Sequence, residues 1–277
     1  MANGARTNLR KPTGHDQEIN YKKIMSFIIF IIVTLIMVTI TFLNPFFMKG
    51  QLRNNNNEVV VVRQVNKHFD VLAETIGANK NGNANLLTTK QTQPIADHII
   101  DYALGFPWFK VSNRRLAEQI LKDIDSNIDQ GSSSDAQLVR LKLNKLGDNA
   151  PYEVADAFNL STVTLGGNIA FGLLFMNFIL IVMAVISFRS IIKEISAIMT
   201  SKQLTHIITA AVMWAGFWLI LISGMMALVP VIFNVEGLAV LGYVLEISSG
   251  IFLDFVIVGV IIYILSAIPW EISSPNN

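Results

Sequence analysis

Gly242, Glu246, Gly250 and Asp254 follow one another at steps of four inside an otherwise apolar run. Steps of four drift slowly around a helix, so the four residues fall along one stripe. A carboxylate at membrane depth is costly unless it is paired, protonated or facing water. Small residues beside it let another helix approach closely. The chemistry such a stripe offers is an ion or proton site, or a polar lock to a partner subunit. The plainer alternative puts Glu246 in the outer interface and leaves Asp254 to snorkel or to carry a proton. No Lys or Arg lies within the apolar runs, so a fixed counter-charge has to come from a loop or another chain.

Asp97-His98-x-x-Asp101 places oxygen and nitrogen donors on neighbouring helical turns. Metal sites need three or four convergent ligands, and a solvated helix face explains this trio as well. His15, His68 and His206 lie far apart in the chain, which does not support a histidine-based catalytic cluster. No catalytic, cofactor or metal residues are expected, and the chain reads as non-enzymatic. Phe106-Pro107-Trp108-Phe109 is an aromatic knot with three readings. Phe106, Trp108 and Phe109 form an exposed docking patch, or they dip into the outer leaflet where Trp is favoured, or they fill a buried corner of a domain core.

The elements that position these residues follow from hydropathy. The chain has 277 residues, of which 52% are hydrophobic, and the apolar residues are clumped. About 20 apolar residues cross a hydrocarbon layer of about 30 Å. The expected class is therefore an all-α integral membrane protein with four transmembrane helices and a mainly helical extracytoplasmic domain between the first and second. The expected layout is a tail over 1–23, spans over 24–47, 167–188, 204–233 and 238–270, the domain over 48–165, a loop over 189–203 and a C-terminal tail over 271–277. An outer amphipathic segment reaching Ser249, with a span starting at Gly250, is the alternative for the last stretch.

Within the domain, Val59, Val62, Val65, Phe69, Leu72 and Ile76 mark one helical face that stops at Gly77. A short strand over Val59–Val62 competes with it. Residues 78–93 read as loop, and Pro94 suits the first turn of a helix running to Leu104. Ser112 is positioned to cap the next helix, and Ser134-Asp135-Ala136-Gln137 has capping-box spacing for a helix ending before Gly147. Pro151 starts a last short helix toward Phe158. In the spans, Gly166, Gly167, Ala170 and Gly172, the pair Ala211 and Ala215, and Asn168 and Asn177 suit close helix packing.

Charge sets orientation. The N-terminal tail and the 189–206 region are basic, and no Lys or Arg follows Lys202. Short basic segments stay inside, so both termini are expected in the cytoplasm. The net charge of +1 gives no pull toward nucleic acid. The absence of cysteine excludes disulfides and thiol chemistry, and fits a protein of the bacterial cytoplasmic membrane. The expected partners are the lipid bilayer and other membrane subunits. The expected role is a subunit of an envelope complex for secretion, conjugation or transport, whose outer domain engages a partner. A sensor signalling through a partner is an alternative.

The order span, outer domain, span, short basic loop, two spans, together with Lys193-Glu194-Ile195 after Arg189, resembles the FtsX/MacB class of permeases. That resemblance implies a separate ATPase, since no phosphate-binding loop is present. The helical domain and the missing Gly-rich stretch after the loop depart from that class.

Overall fold

The computed structural model describes residues 14–78, 85–106, 108–232 and 239–274, and it is helical with no strand among them. The first thirteen residues and the short connection at 234–237 between the last two expected spans lie outside the described residues, as does part of the expected 78–93 loop. Four helices are long and apolar enough to cross a membrane: Ile19–Ile40, Leu160–Ser196, Ser201–Val229 and Ile247–Ile272. They fit a multi-pass membrane protein in lipid.

Helix α1 covers Gly14–Ile40 and α2 covers Pro45–Leu52. The first apolar stretch is thus not one helix to Phe47. Pro45 keeps Asn44 out of the helical region, and Asn44 Oδ1 accepts from the Phe46 and Phe47 amides at 2.9 and 3.3 Å. An N-cap of this kind followed by proline at the first helical position starts a new helix.

The chain divides into two compact units. One comprises Val38–Phe178 and Val235–Ile247. It holds α2, α3 (Asn55–Thr75), α4 (Thr89–Leu104), α5 (Arg114–Asn127), α6 (Ser134–Leu146) and α7 (Ala150–Ala157), a 3-10 turn at Gly147–Asn149, and the first half of α8 (Leu160–Ser196). Val65, Phe69 and Leu72 of α3, Ile95 of α4, Ile120 and Ile124 of α5, Val139 of α6 and Val154 of α7 close one continuous apolar core. The β-branched run is helical. Its buried members are Val60 and Val61, while Val59 is exposed, so the expected face holds from Val65 through Phe69 and Leu72 to Ile76 and is shifted only in the first turns.

Two helix starts differ from expectation for the same reason. α4 begins at Thr89 because Thr88 and Gln91 form a reciprocal capping box, which leaves Pro94 inside the helix rather than at its first turn. α6 is capped by Ser133, whose Oγ accepts from the Ala136 amide at 3.2 Å, and Gln137 instead donates to the Gln130 and Ser132 carbonyls. Gly77 takes a positive φ of 69° after α3, the left-handed stop expected of it.

The other unit comprises Met1–Met37, Ile179–Asn234 and Ser248–Asn277. Its helices are most of α1, the second half of α8, α9 (Ser201–Ile232) and most of α10 (Ala239–Ile272). Met25, Ile195, Ile207, Ala211 and Ala215 pack into one core, so Ala211 and Ala215 do share a packed face. A close backbone crossing lies elsewhere, between α9 and α10. A Cβ on Gly216 would stand 2.9 Å from the Gly259 carbonyl oxygen, and one on Gly259 would stand 2.8 Å from Ile220 Cγ1. Close backbone approach of this sort is how glycine drives helix association in lipid. α10 runs without a break through Ser249 and Gly250, and its stretch apolar enough to cross a membrane is Ile247–Ile272.

Candidate functional site

The aromatic knot is not a core corner. Phe106 is 86% exposed, Trp108 53%, Phe109 65% and Val111 87%. They sit on the connection between α4 and α5, and each anchor of that connection can be traced. Gly105 ends α4 in an extended conformation. The Lys110 amine turns back to donate to the Gly105 carbonyl at 2.6 Å and lies over the Tyr102 ring. Burial pulls the Lys110 amine below the ordinary lysine range. The Tyr102 hydroxyl donates to the Ser112 carbonyl at 3.0 Å.

The first turns of α8 complete the frame. Asn168 Oδ1 accepts from the Lys110 amide at 2.6 Å, and Asn168 Nδ2 donates to the Lys110 carbonyl at 2.9 Å. Phe171 stacks on Trp108 with ring centroids 5.8 Å apart. Gly167 lets α8 touch α4, since a Cβ there would lie 2.9 Å from the Ala103 carbonyl oxygen. The sequence flagged Gly167 and Asn168 as packing residues. Their link to the aromatic connection is long-range, and no local spacing encodes it.

Beside this connection runs a groove of about 440 Å³ between α4 and α5. Phe106, Phe109 and Val111 form its apolar rim, and His98, Arg115 and Gln119 supply polar groups. The docking-patch residues and the Asp97-His98-x-x-Asp101 motif therefore adjoin one feature. The motif itself diverges. Asp97 pairs with Arg53, Asp101 with Lys49 at 2.7 Å, and His98 faces α5, where its Nε2 lies 3.2 Å from Gln119 Nε2 and 3.5 Å from Asp123 Oδ2. The two carboxylates thus brace α4 against α2, and no shared ligand point exists. Among the described residues no group of side chains is arranged to hold a metal ion.

Of the other histidines, His68 and His206 are also used locally. His68 lies 3.0 Å from the Ala157 carbonyl and stacks on Phe158, and His206 stacks on Trp270.

Of the acidic stripe, Gly242 and Glu246 lie on α10, and their side chains are outside the described residues. Gly250 is exposed and Asp254 is half-buried. The packed face of α10 runs instead through Ser248, Ile251, Phe255 and Gly259, one step around the helix. In the 193–195 segment, Glu194 accepts from the Tyr21 hydroxyl at 2.8 Å and Ile195 is fully buried.

Comparison with protein-family models, with curated proteins and with solved structures finds no match.

Proposed function

We propose that this chain is a non-enzymatic, multi-pass subunit of a bacterial envelope assembly for secretion, conjugation or transport. In this reading the helical domain stands outside the cytoplasmic membrane and binds a segment of a protein partner in the α4–α5 groove. The observation that carries the reading is the exposed rim of Phe106, Phe109 and Val111 on a connection that is fastened at Lys110. Water penalises large apolar side chains left in the open. Interfaces use rigid aromatic anchors beside polar groups as their energetic centre. The polar side of the groove, with His98, Arg115 and Gln119, suits a polypeptide, whose carbonyls and amides need partners. The outward position of Gly250 and the half-buried Asp254 on α10 suit a second contact with another chain inside the membrane.

A photo-crosslinking side chain placed at Phe109 in the native membrane tests this. The expected product is one defined protein adduct, lost when Phe106→Ser and Arg115→Glu are introduced together. Adducts with lipid alone, unaffected by Arg115→Glu, would reassign the aromatics to the outer leaflet and overturn the partner reading.

A further inference from the structure

A second concave feature lies within the other unit, between α1 and α9. It is a groove of about 560 Å³, within the range of volumes that hold small ligands. Phe27 and Phe30 of α1 form one wall, and Trp214 and Trp218 of α9 form the other. Lys22 and Lys23 stand at one end. Among the described residues no carboxylate lines it.

The placement of charge follows the chain. Lys22 and Lys23 come immediately before an uncharged run from Ile24 to Ile40. Eight residues of helix separate Lys22 from Phe30, about 12 Å along the axis. The groove therefore runs from a cationic end, at the edge of the span, toward the depth of the hydrocarbon. Its wall is stiff. Phe217 meets Trp214 and Trp218 edge-on at 5.6 and 5.9 Å, and the packed residues Met25, Ile207, Ala211 and Ala215 hold α1 and α9 together behind it. A shaped wall of this kind distinguishes a site from the general lipid-facing surface.

We propose that this groove binds one anionic phospholipid from the leaflet in which the N-terminal end of α1 lies. The phosphate sits at Lys22 and Lys23, and one acyl chain lies against Phe27, Phe30, Trp214 and Trp218. Charge complementarity selects the lipid class: basic pockets between spanning helices attract anionic head groups, and a zwitterionic head group gains little there. The proposal is independent of the partner reading of the outer domain.

The test uses the full chain in phosphatidylcholine bilayers, with Trp108→Phe and Trp270→Phe leaving Trp214 and Trp218 as the only indoles of the four. A minor fraction of phosphatidylglycerol with brominated acyl chains quenches indoles that it touches. The expected result is stronger quenching by brominated phosphatidylglycerol than by the same fraction of brominated phosphatidylcholine. Lys22→Gln and Lys23→Gln weaken the apparent affinity about fivefold each, while Lys22→Arg with Lys23→Arg keeps it. Added inorganic phosphate leaves the quenching unchanged, because the chain contacts hold the lipid. Equal quenching by both lipids, or an excess that survives both glutamines in a folded variant, overturns the proposal. If the glutamine variants do not fold, the unaltered chain decides by native mass spectrometry. Phosphatidylglycerol adducts that outlast phosphatidylcholine adducts support the site, and equal retention overturns it.

Discussion

Asn168 grips the backbone of Lys110 from both sides, accepting from its amide at 2.6 Å and donating to its carbonyl at 2.9 Å. One side chain on α8 thus satisfies both polar groups of a residue in the aromatic connection, as a neighbouring strand would. The orientation of Phe109 and Val111 depends on that clasp, because they flank Lys110 directly.

Asn168→Ala removes both bonds and is expected to loosen the connection by about 1–3 kcal/mol. Hydrogen exchange at the Lys110 amide should speed up while exchange in the α5 core stays unchanged. Asn168→Asp keeps the acceptor for the amide and loses the donor, so protection should fall between the two.

Asn66 plays the same part inside the domain. Its side chain accepts from the Leu87 amide at 2.7 Å and donates to the Leu87 carbonyl at 2.9 Å, and the residue is buried. Asn66→Leu leaves two backbone groups of Leu87 without these partners and is expected to cost about 2–4 kcal/mol. Thermal unfolding of the domain should show it as a drop of several degrees, and an unchanged midpoint would refute this role.

Burial pushes the Asp123 carboxyl above the usual carboxylate range, and the His98 imidazole, Gln119 and Lys122 pull the other way. A raised carboxyl binds its proton more tightly in the folded state than in the unfolded one. Its contribution to stability is therefore complete below the unfolded value of about 3.9 and is lost as the pH rises through the folded value. Asp125, held low by Arg140 and Asn144, works in the opposite sense. Comparing Asp123→Asn with the parent isolates the first effect. The difference in unfolding midpoint should grow in favour of the variant from about pH 4 toward neutrality.

The glycines of the spans separate into two groups. Gly259→Val drives a side chain into Ile220 and the α9 backbone, and overpacking of this kind costs about 1–3 kcal/mol. Gly172 has nothing within 4 Å of a Cβ, so Gly172→Ala should be neutral or gain about 1 kcal/mol of helix propensity. Unfolding in mild detergent, followed by circular dichroism, distinguishes them.

What the sequence made legible follows the range of each signal. Four apolar runs are local signals, and so is the stop at Gly77, and four apolar helices and a left-handed Gly77 are what the structure holds. The start of α4 is less legible, because Pro94 is a louder signal than the Thr88–Gln91 box that fixes the first turn. Composition alone does not fix the exposure of Phe106 and Phe109, since it cannot tell an anchor from a core corner. The α4–α5 groove was invisible because it needs residues from 98 to 119 to meet, and the frame around it needs Asn168, 58 positions beyond Lys110. Gly259 stood in plain view, but its meaning depends on Gly216 lying opposite.

Thirty-seven residues make α8 a rod about 55 Å long, against an oil layer of about 30 Å. Set upright, the rod leaves nearly half of its turns clear of the oil, and hydropathy alone leaves its height and tilt free. The fastening at Gly167 and Asn168 ties one level of the rod to α4 and to the connection that follows it. With the domain held in water, as proposed above, lipids of unequal tail length would have to stretch or thin around the protein, which would keep its own level.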